Sequence, residues 1–197
     1  MDYETDKSVL RKTQKIMAHR EQRIFIGMVR ELYPDYFLGK RVVDFGSLDI
    51  NGSNKIWFDL CDYTGVDIGE GKNVDVVSKA HEYKPEKKFD VVITTEMLEH
   101  DMYWEKSLQN MLDLLVPNGL LIITCATTGR PEHGTARSEC AEDSPFTSKI
   151  PEWSNYYRNL TITDVNTVLK PSENFTTYFE NMTTRPPNDY QFYGIKK

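Results

Sequence analysis

The chain has little cysteine: Cys61, Cys125 and Cys140 are the only three in 197 residues, and their spacing fits neither a zinc knuckle nor a disulfide framework. A sparse, odd set of this kind is expected of thiols kept reduced and packed as small hydrophobes. No apolar run approaches the ~20 residues that span a bilayer, and the first residues, Met1-Asp2-Tyr3-Glu4, are charged rather than signal-like. Positive charge is also in deficit: 24 Lys and Arg face 30 Asp and Glu, and the formal charge of −6 opposes a large phosphate-binding surface. Internal repeats and low-complexity tracts are missing as well. These absences predict a soluble, cytoplasmic protein whose partners are neither nucleic acid nor membrane. What remains, 39% hydrophobic residues, suffices for one core, so residues 1–197 read as a single domain.

From about Ser8 to Leu32 helix-forming residues carry apolar positions Ile16, Ile24, Met28 and Leu32, which include the spacing of four that marks one helical face. Residues 1–38 therefore read as a helical cap, ended by Tyr33-Pro34-Asp35 because proline breaks the hydrogen-bond ladder. Short apolar runs then alternate with helical stretches. Arg41 to Phe45, Tyr63 to Val66, Val74 to Val77, Phe89 to Thr94 and Leu120 to Cys125 read as strands, with a helix from Met102 to Leu115 presenting Leu108, Met111, Leu112 and Leu115. Such alternation favours a parallel sheet covered on both sides. Pro117-Asn118-Gly119 closes the helix.

From Thr127 to Glu152 runs a long polar stretch with Gly129, Pro131, Gly134, Pro145 and Pro151 and no convincing element; loops that long in compact domains are often lids or binding loops, and residues 127–160 read as a substrate-side loop region. Thr161 to Leu169 reads as a helix capped by Thr161 or Thr163. Phe175 to Asn181 and Tyr190 to Ile195 read as an antiparallel pair at the sheet edge. The expected fold is α/β: a Rossmann-like, doubly wound, mostly parallel seven-stranded sheet with an antiparallel C-terminal edge pair and a leading N-terminal helix.

The run Arg41-Val42-Val43-Asp44-Phe45-Gly46-Ser47-Leu48-Asp49-Ile50-Asn51-Gly52 describes a buried strand, a glycine-bearing turn and a helix start. Tyr63-Thr64-Gly65-Val66-Asp67-Ile68 follows as a second strand ending in an acid. Doubly wound domains hold nucleosides in this way, with backbone close to the ligand at the turn and the acid on the ribose hydroxyls. Taken with Phe89-Asp90-Val91-Val92-Ile93-Thr94-Thr95-Glu96-Met97-Leu98-Glu99-His100 and Leu115-Val116-Pro117-Asn118-Gly119-Leu120, these segments resemble, in order and spacing, the successive motifs of class I S-adenosylmethionine-dependent methyltransferases. The resemblance is strong from Val42 to Cys125 and looser in the flanks. It implies S-adenosyl-L-methionine as cofactor and S-adenosyl-L-homocysteine as product. It also implies cofactor contacts at Asp44, Gly46, Ser47, Asn51, Asp67, Ile68, Ala80, His81 and Glu96. Two departures stand out: Leu48 occupies a position often held by a second glycine, and Ser78-Lys79-Ala80-His81 stands where an acid usually meets the adenine.

Methyl transfer from a sulfonium is an in-line displacement, to which alignment and exclusion of water contribute most. A neutral hydroxyl acceptor also benefits from a base, and imidazole is suited to that at physiological pH. Of the four histidines, His19 lies on the leading helix and His81 beside the expected adenine pocket. His100 ends the Glu96-to-His100 motif, and His133 sits in a loop that also offers Arg130 and Glu132. His133 or His100 is the expected base. Arg130, Glu132, Tyr156, Tyr157 and Arg158 are expected on the acceptor side, because aromatic faces flanked by hydrogen-bonding groups suit a sugar. The loop together with Tyr156-Tyr157-Arg158-Asn159-Leu160 also looks like a branch of small methyltransferases associated with glycan decoration, so the expected acceptor is a sugar or glycan hydroxyl. A phenol, a carboxylate or a protein side chain is the alternative, and a non-catalytic nucleoside-binding module the alternative of another class. Glu96, Glu99, His100 and His133 could converge on a divalent ion, but no compact ligand spacing demands one, and none is expected.

Overall fold

The computed structural model describes residues 20–197. His19, Ile16 and the start of the expected leading helix lie outside the described residues. Seven strands form one sheet in the order β3-β2-β1-β4-β5-β7-β6. They are β1 (Arg41–Phe45), β2 (Asp62–Asp67), β3 (Val76–Val77), β4 (Phe89–Thr95), β5 (Leu115–Ala126), β6 (Phe175–Met182) and β7 (Asp189–Lys196). β1 to β5 pair in parallel, whereas β7 runs antiparallel between β5 and β6. The expected α/β architecture is the observed one.

Alternation along the central strands explains the two cores. Val43, Phe45, Val92, Leu121 and Ile123 face one cluster, while their neighbours Val42, Val91, Ile93, Leu120 and Ile122 face the other, as side chains of period two must in a sheet covered on both faces. The first cluster is closed by α2 (Trp104–Leu114) and α3 (Ile162–Leu169), the second by α1, residues 20–32. A single turn, α4 (Pro171–Asn174), leads into β6. Among the described residues no helix is long and apolar enough to cross a membrane.

Three local expectations need correction. The buried face of α1 carries Phe25, Ile26 and Val29, whereas Ile24, Met28 and Leu32 are exposed. Both stripes have helical periodicity; Phe25 and Tyr33 win because their rings pack on Tyr193 of β7. β5 starts at Leu115, directly after α2. Leu115 pairs with Phe89 and Leu120 with Val91, so the residues from Val116 to Gly119 bulge out of register in place of a separate loop. β3 is reduced to Val76–Val77, since Asn73 (φ 66°) turns the chain before Val74 and Asp75 accepts from the Gly65 amide. At α3 the cap is Thr161, in a reciprocal capping box with Asp164.

Candidate active site

At the end of β1 the chain turns on Gly46, whose φ is +79°. A Cβ there would sit 2.7 Å from the Met97 Cβ, so the turn requires left-handed backbone and leaves no room for a side chain. Gly46→Ala is expected to lower stability by about 1–3 kcal/mol, read as a drop in the denaturant midpoint. Beyond the turn the Leu48 and Ile68 amides donate to opposite oxygens of Asp67, at 3.1 and 2.7 Å. Burial pushes the Asp67 carboxyl up, and these amides, with that of Gly69, oppose the rise. Asp67, Ile68, Ala80, Gly46 and Met97 line one pocket.

The wall opposite comes from an unexpected quarter. Residues Ser144 to Thr147 and Trp153 line the same pocket, and Phe146 packs so closely on Gly69 that a Cβ there would strike its ring. The 127–160 segment therefore also covers the expected cofactor side. Its only helical pieces are two 3-10 turns, Ala141–Asp143 and Thr147–Lys149, but backbone bonds fasten it: Ala136 N to Ser154 O at 2.6 Å, Arg158 N to Glu99 O at 2.9 Å and Leu160 N to Ala126 O at 2.9 Å. Proline and polar residues gave the signal of a lid; nothing in sequence assigned Phe146 to Gly69. Leu48, in the expected glycine's place, fills the space over Gly71 and serves as wall.

Asp44 points away from bulk water. The Tyr63 hydroxyl donates to it at 2.5 Å and the Asn54 amide at 3.2 Å. Burial nonetheless raises its carboxyl to about 7. The fold thus keeps a proton that the unfolded chain releases near the ordinary value of 3.8. Stability conferred by this proton is present at low pH and is lost as pH rises through that window, with a slope of at most about 1.4 kcal/mol per pH unit. Thermal unfolding of the ligand-free protein is expected at lower temperature at pH 8 than at pH 5.5, and Asp44→Asn should flatten that difference.

A second, wider cleft of about 1200 Å³ joins the first pocket, and Gly46, Leu48, Ile50, Glu96 and His100 line both. Asp44, Ser47 and Asn51 bound it on the turn side and Arg130, Glu132 and His133 on the loop side, with Gln22 and Arg23 of α1 at its rim. Its volume exceeds the ~300–1,000 Å³ of ordinary small-molecule sites, enough for part of a cofactor and an acceptor together. The Ser47 hydroxyl is buried here without a protein partner. α1 was not among the expected contributors, because amphipathicity alone gives no clue to which helix overhangs a cleft.

Beneath the cleft lies a buried charge cluster. Glu96, at φ +53° just past β4, accepts from Thr124 at 3.0 Å and from Arg130 at 2.9 Å. The other arm of Arg130 reaches Asp189 at 2.5 Å and the Pro187 carbonyl at 3.1 Å. Glu96 and Asp189 thus share one guanidinium, and Glu99 feels its charge without pairing with it. Burial pushes the Glu99 and Asp189 carboxyls up, and Arg130 pulls both back down. Arg130, expected to contact the acceptor, lines the cleft with its guanidinium paired to two of these carboxylates.

Above the cluster three rings meet. His100 and His133 lie with centroids 4.9 Å apart and perpendicular, and Tyr157 stands 5.5 Å from the first and 5.1 Å from the second. Burial drives His100 down to about 3 and, more mildly, lowers His133, so both imidazoles are neutral near pH 7. His133 Nδ1 lies 3.1 Å from the Pro131 carbonyl, to which it donates. Nε2 of that tautomer then holds a lone pair.

The remaining expected residues are placed as follows. Glu132 is held by Thr135 and Arg137 at 2.7 Å each. His81 stacks on Tyr103 with centroids 4.5 Å apart and lines neither cavity. Tyr156 packs on the core, and Arg158 spans Asp164 (2.6 Å) and the Trp104 ring (5.4 Å to the centroid). Tyr156 and Arg158 therefore brace the segment, and neither lines the cleft.

A protein-family model described as Methyltransferase domain matches residues 17–164. The chain belongs to the class I S-adenosylmethionine-dependent methyltransferases. No curated relative matches the sequence. Solved structures share the methyltransferase fold at low identity. The 1,6-didemethyltoxoflavin-N1-methyltransferase of Burkholderia thailandensis, with 1,6-didemethyltoxoflavin and S-adenosylhomocysteine bound, is 16% identical; the match covers 100% of this chain and 91% of that one, with a TM-score of 0.60. The N-methyltransferase NodS of Bradyrhizobium japonicum WM9, in complex with S-adenosylhomocysteine, is 14% identical over 89% and 87% of the two chains, with a TM-score of 0.56. Magnesium protoporphyrin IX methyltransferase of Synechocystis PCC 6803, with its methyl donor bound, is 15% identical over 92% and 81%, with a TM-score of 0.60. In this methyltransferase the strand order and the glycine turn place the pocket at the carboxyl ends of β1, β2 and β4, where open α/β sheets receive ligands.

Proposed function

We propose that this methyltransferase transfers the methyl group of S-adenosyl-L-methionine to a hydroxyl of a sugar or glycan. Residues 1–197 act as one domain, and residues 127–160 form its acceptor side. Asp67 takes the ribose hydroxyls, Ile68 and Ala80 flank the adenine, and Gly46, Ser47 and Asp44 receive the methionine portion. The observation that carries the reading is the neutral His100–His133 pair, standing where the first pocket opens into the wide cleft. An acceptor hydroxyl there gives its proton to His133 Nε2 as its oxygen bonds the methyl carbon and the carbon–sulfur bond breaks. S-adenosyl-L-homocysteine leaves. Glu132 lines the cleft on the acceptor's path, whereas Tyr157, also expected there, lines neither cavity and backs the two imidazoles.

His133→Ala is expected to lower turnover by about 10²-fold or more, the scale of general-base catalysis, with affinity for S-adenosyl-L-homocysteine nearly intact. Stopped assays with labelled donor, paired with calorimetric titration, measure both. Unchanged turnover would move the proton acceptor elsewhere.

A further inference from the structure

We infer that Glu99, His100 and His133 form a binding site for a first-row transition-metal dication at the junction of the two cavities. One ligand atom from each residue lies within 4.8 Å of the others. An ion about 2.1 Å from each ligand holds such atoms about 3–4 Å apart, a closure that small side-chain rotations supply.

The hydrogen bonding of the cluster favours an occupant. Glu99 is fully buried, yet only Oε1 is engaged, by the Ala126 amide at 3.1 Å; Oε2 has no partner. His100 is 5% exposed, and its buried Nδ1 has no partner either. The Tyr157 hydroxyl beside both imidazoles is in the same condition. Unpaired buried polar atoms cost about 1–3 kcal/mol each, and a shared ion accounts for those of Glu99 and His100. The outer contacts are those that metal sites use: an amide orients the carboxylate, and a carbonyl takes the Nδ1 proton of His133, which leaves Nε2 as its ligand atom. Gly134, at φ +66°, brings its backbone so near that a Cβ would touch the His100 ring, which holds that imidazole in place.

Charge is compatible. Arg130 is the nearby cation, but Glu96 and Asp189 already bind it, which leaves Glu99 as surplus acid. Two imidazoles and one carboxylate favour Mn²⁺ to Zn²⁺ over Mg²⁺ or Ca²⁺, and a three-ligand set leaves positions open. His100 lines both cavities, so an open position faces the acceptor. The role of the ion, unlike its binding, rests on the hydroxyl-acceptor reading. With the ion bound, His133 Nε2 is a ligand and the ion-bound hydroxyl gives its proton to water; in the ion-free protein Nε2 takes that proton.

The test is titration of the chelator-treated full chain with Co²⁺, followed by visible absorption, with Zn²⁺ and Mn²⁺ as competitors. Saturable uptake of one equivalent is expected, weakened at least ~10-fold in His133→Ala and in Glu99→Gln. Retained binding of S-adenosyl-L-homocysteine by His133→Ala shows that the variant is folded. Lack of saturable uptake, or equal uptake by wild type and folded His133→Ala, would overturn the site. Assays with and without chelator separate the two readings. Uptake without methylation of any hydroxyl removes the acceptor assignment and keeps the site, whereas hydroxyl methylation by protein that takes up no Co²⁺ does the reverse.

Discussion

Asp67→Ala should weaken binding of S-adenosyl-L-homocysteine by about 10³-fold. Hydrogen bonds to a charged group contribute about 1.5–3 kcal/mol each, and two ribose hydroxyls lost together amount to about 4 kcal/mol, with each 1.4 kcal/mol a factor of ten. The carboxylate has a second duty, because its two oxygens also hold the amides of Leu48 and Ile68. Removing it frees the glycine turn as well as the ribose contacts. Asp67→Asn keeps one acceptor and the side-chain volume, so its loss should fall between those of wild type and alanine. Calorimetric titration of the three proteins gives the series; an alanine variant that binds within tenfold of wild type would detach Asp67 from the cofactor.

Arg130→Met is the second large effect, and it falls on stability. The Asp189 side chain is wholly buried and that of Glu96 17% exposed, and Arg130 bonds both. Removing the one cation strands buried carboxylates, which costs about 3–5 kcal/mol from the 5–15 kcal/mol typical of a domain. Arg130 also ties the start of β7 to the loop after β5 through Pro187 and, by its carbonyl, Asn159. The acceptor-side segment should therefore loosen before the sheet does. Adding Asp189→Asn removes one stranded charge and should recover part of the loss. Chemical denaturation of the single and double variants reads both, and a single variant within 1 kcal/mol of wild type would contradict the network.

The sheet was legible because its strands are short β-branched and apolar runs whose neighbours point to opposite cores, as with Val42 and Val43. The acid after β2 and the glycine after β1 were legible for a local reason: strand, turn and acid are set by sequence spacing alone. The face of α1 was not, since Ile24, Met28 and Leu32 satisfy the helical period as well as Phe25, Ile26 and Val29, and only aromatic packing on β7 decides. The ion pairs of Arg130 were not legible because its partners lie 34 and 59 residues away. A free guanidinium and a neutralised one look alike in sequence. Tyr156 and Arg158 were misread similarly, as their bracing contacts depend on α2 and α3. Glu99, His100 and His133 show the opposite case: residues without ligand spacing in sequence are brought within 4.8 Å by the fold.

The account turns on where the methyl group goes. Incubating the protein with isotopically labelled S-adenosyl-L-methionine and a matched panel of sugars, phenols, carboxylates and amines, then locating the label by mass spectrometry, tests it most directly. Label on a sugar oxygen, lost in His133→Ala that still binds S-adenosyl-L-homocysteine, is the predicted result. Label on nitrogen, or on a sugar at an equal rate without His133, would contradict it.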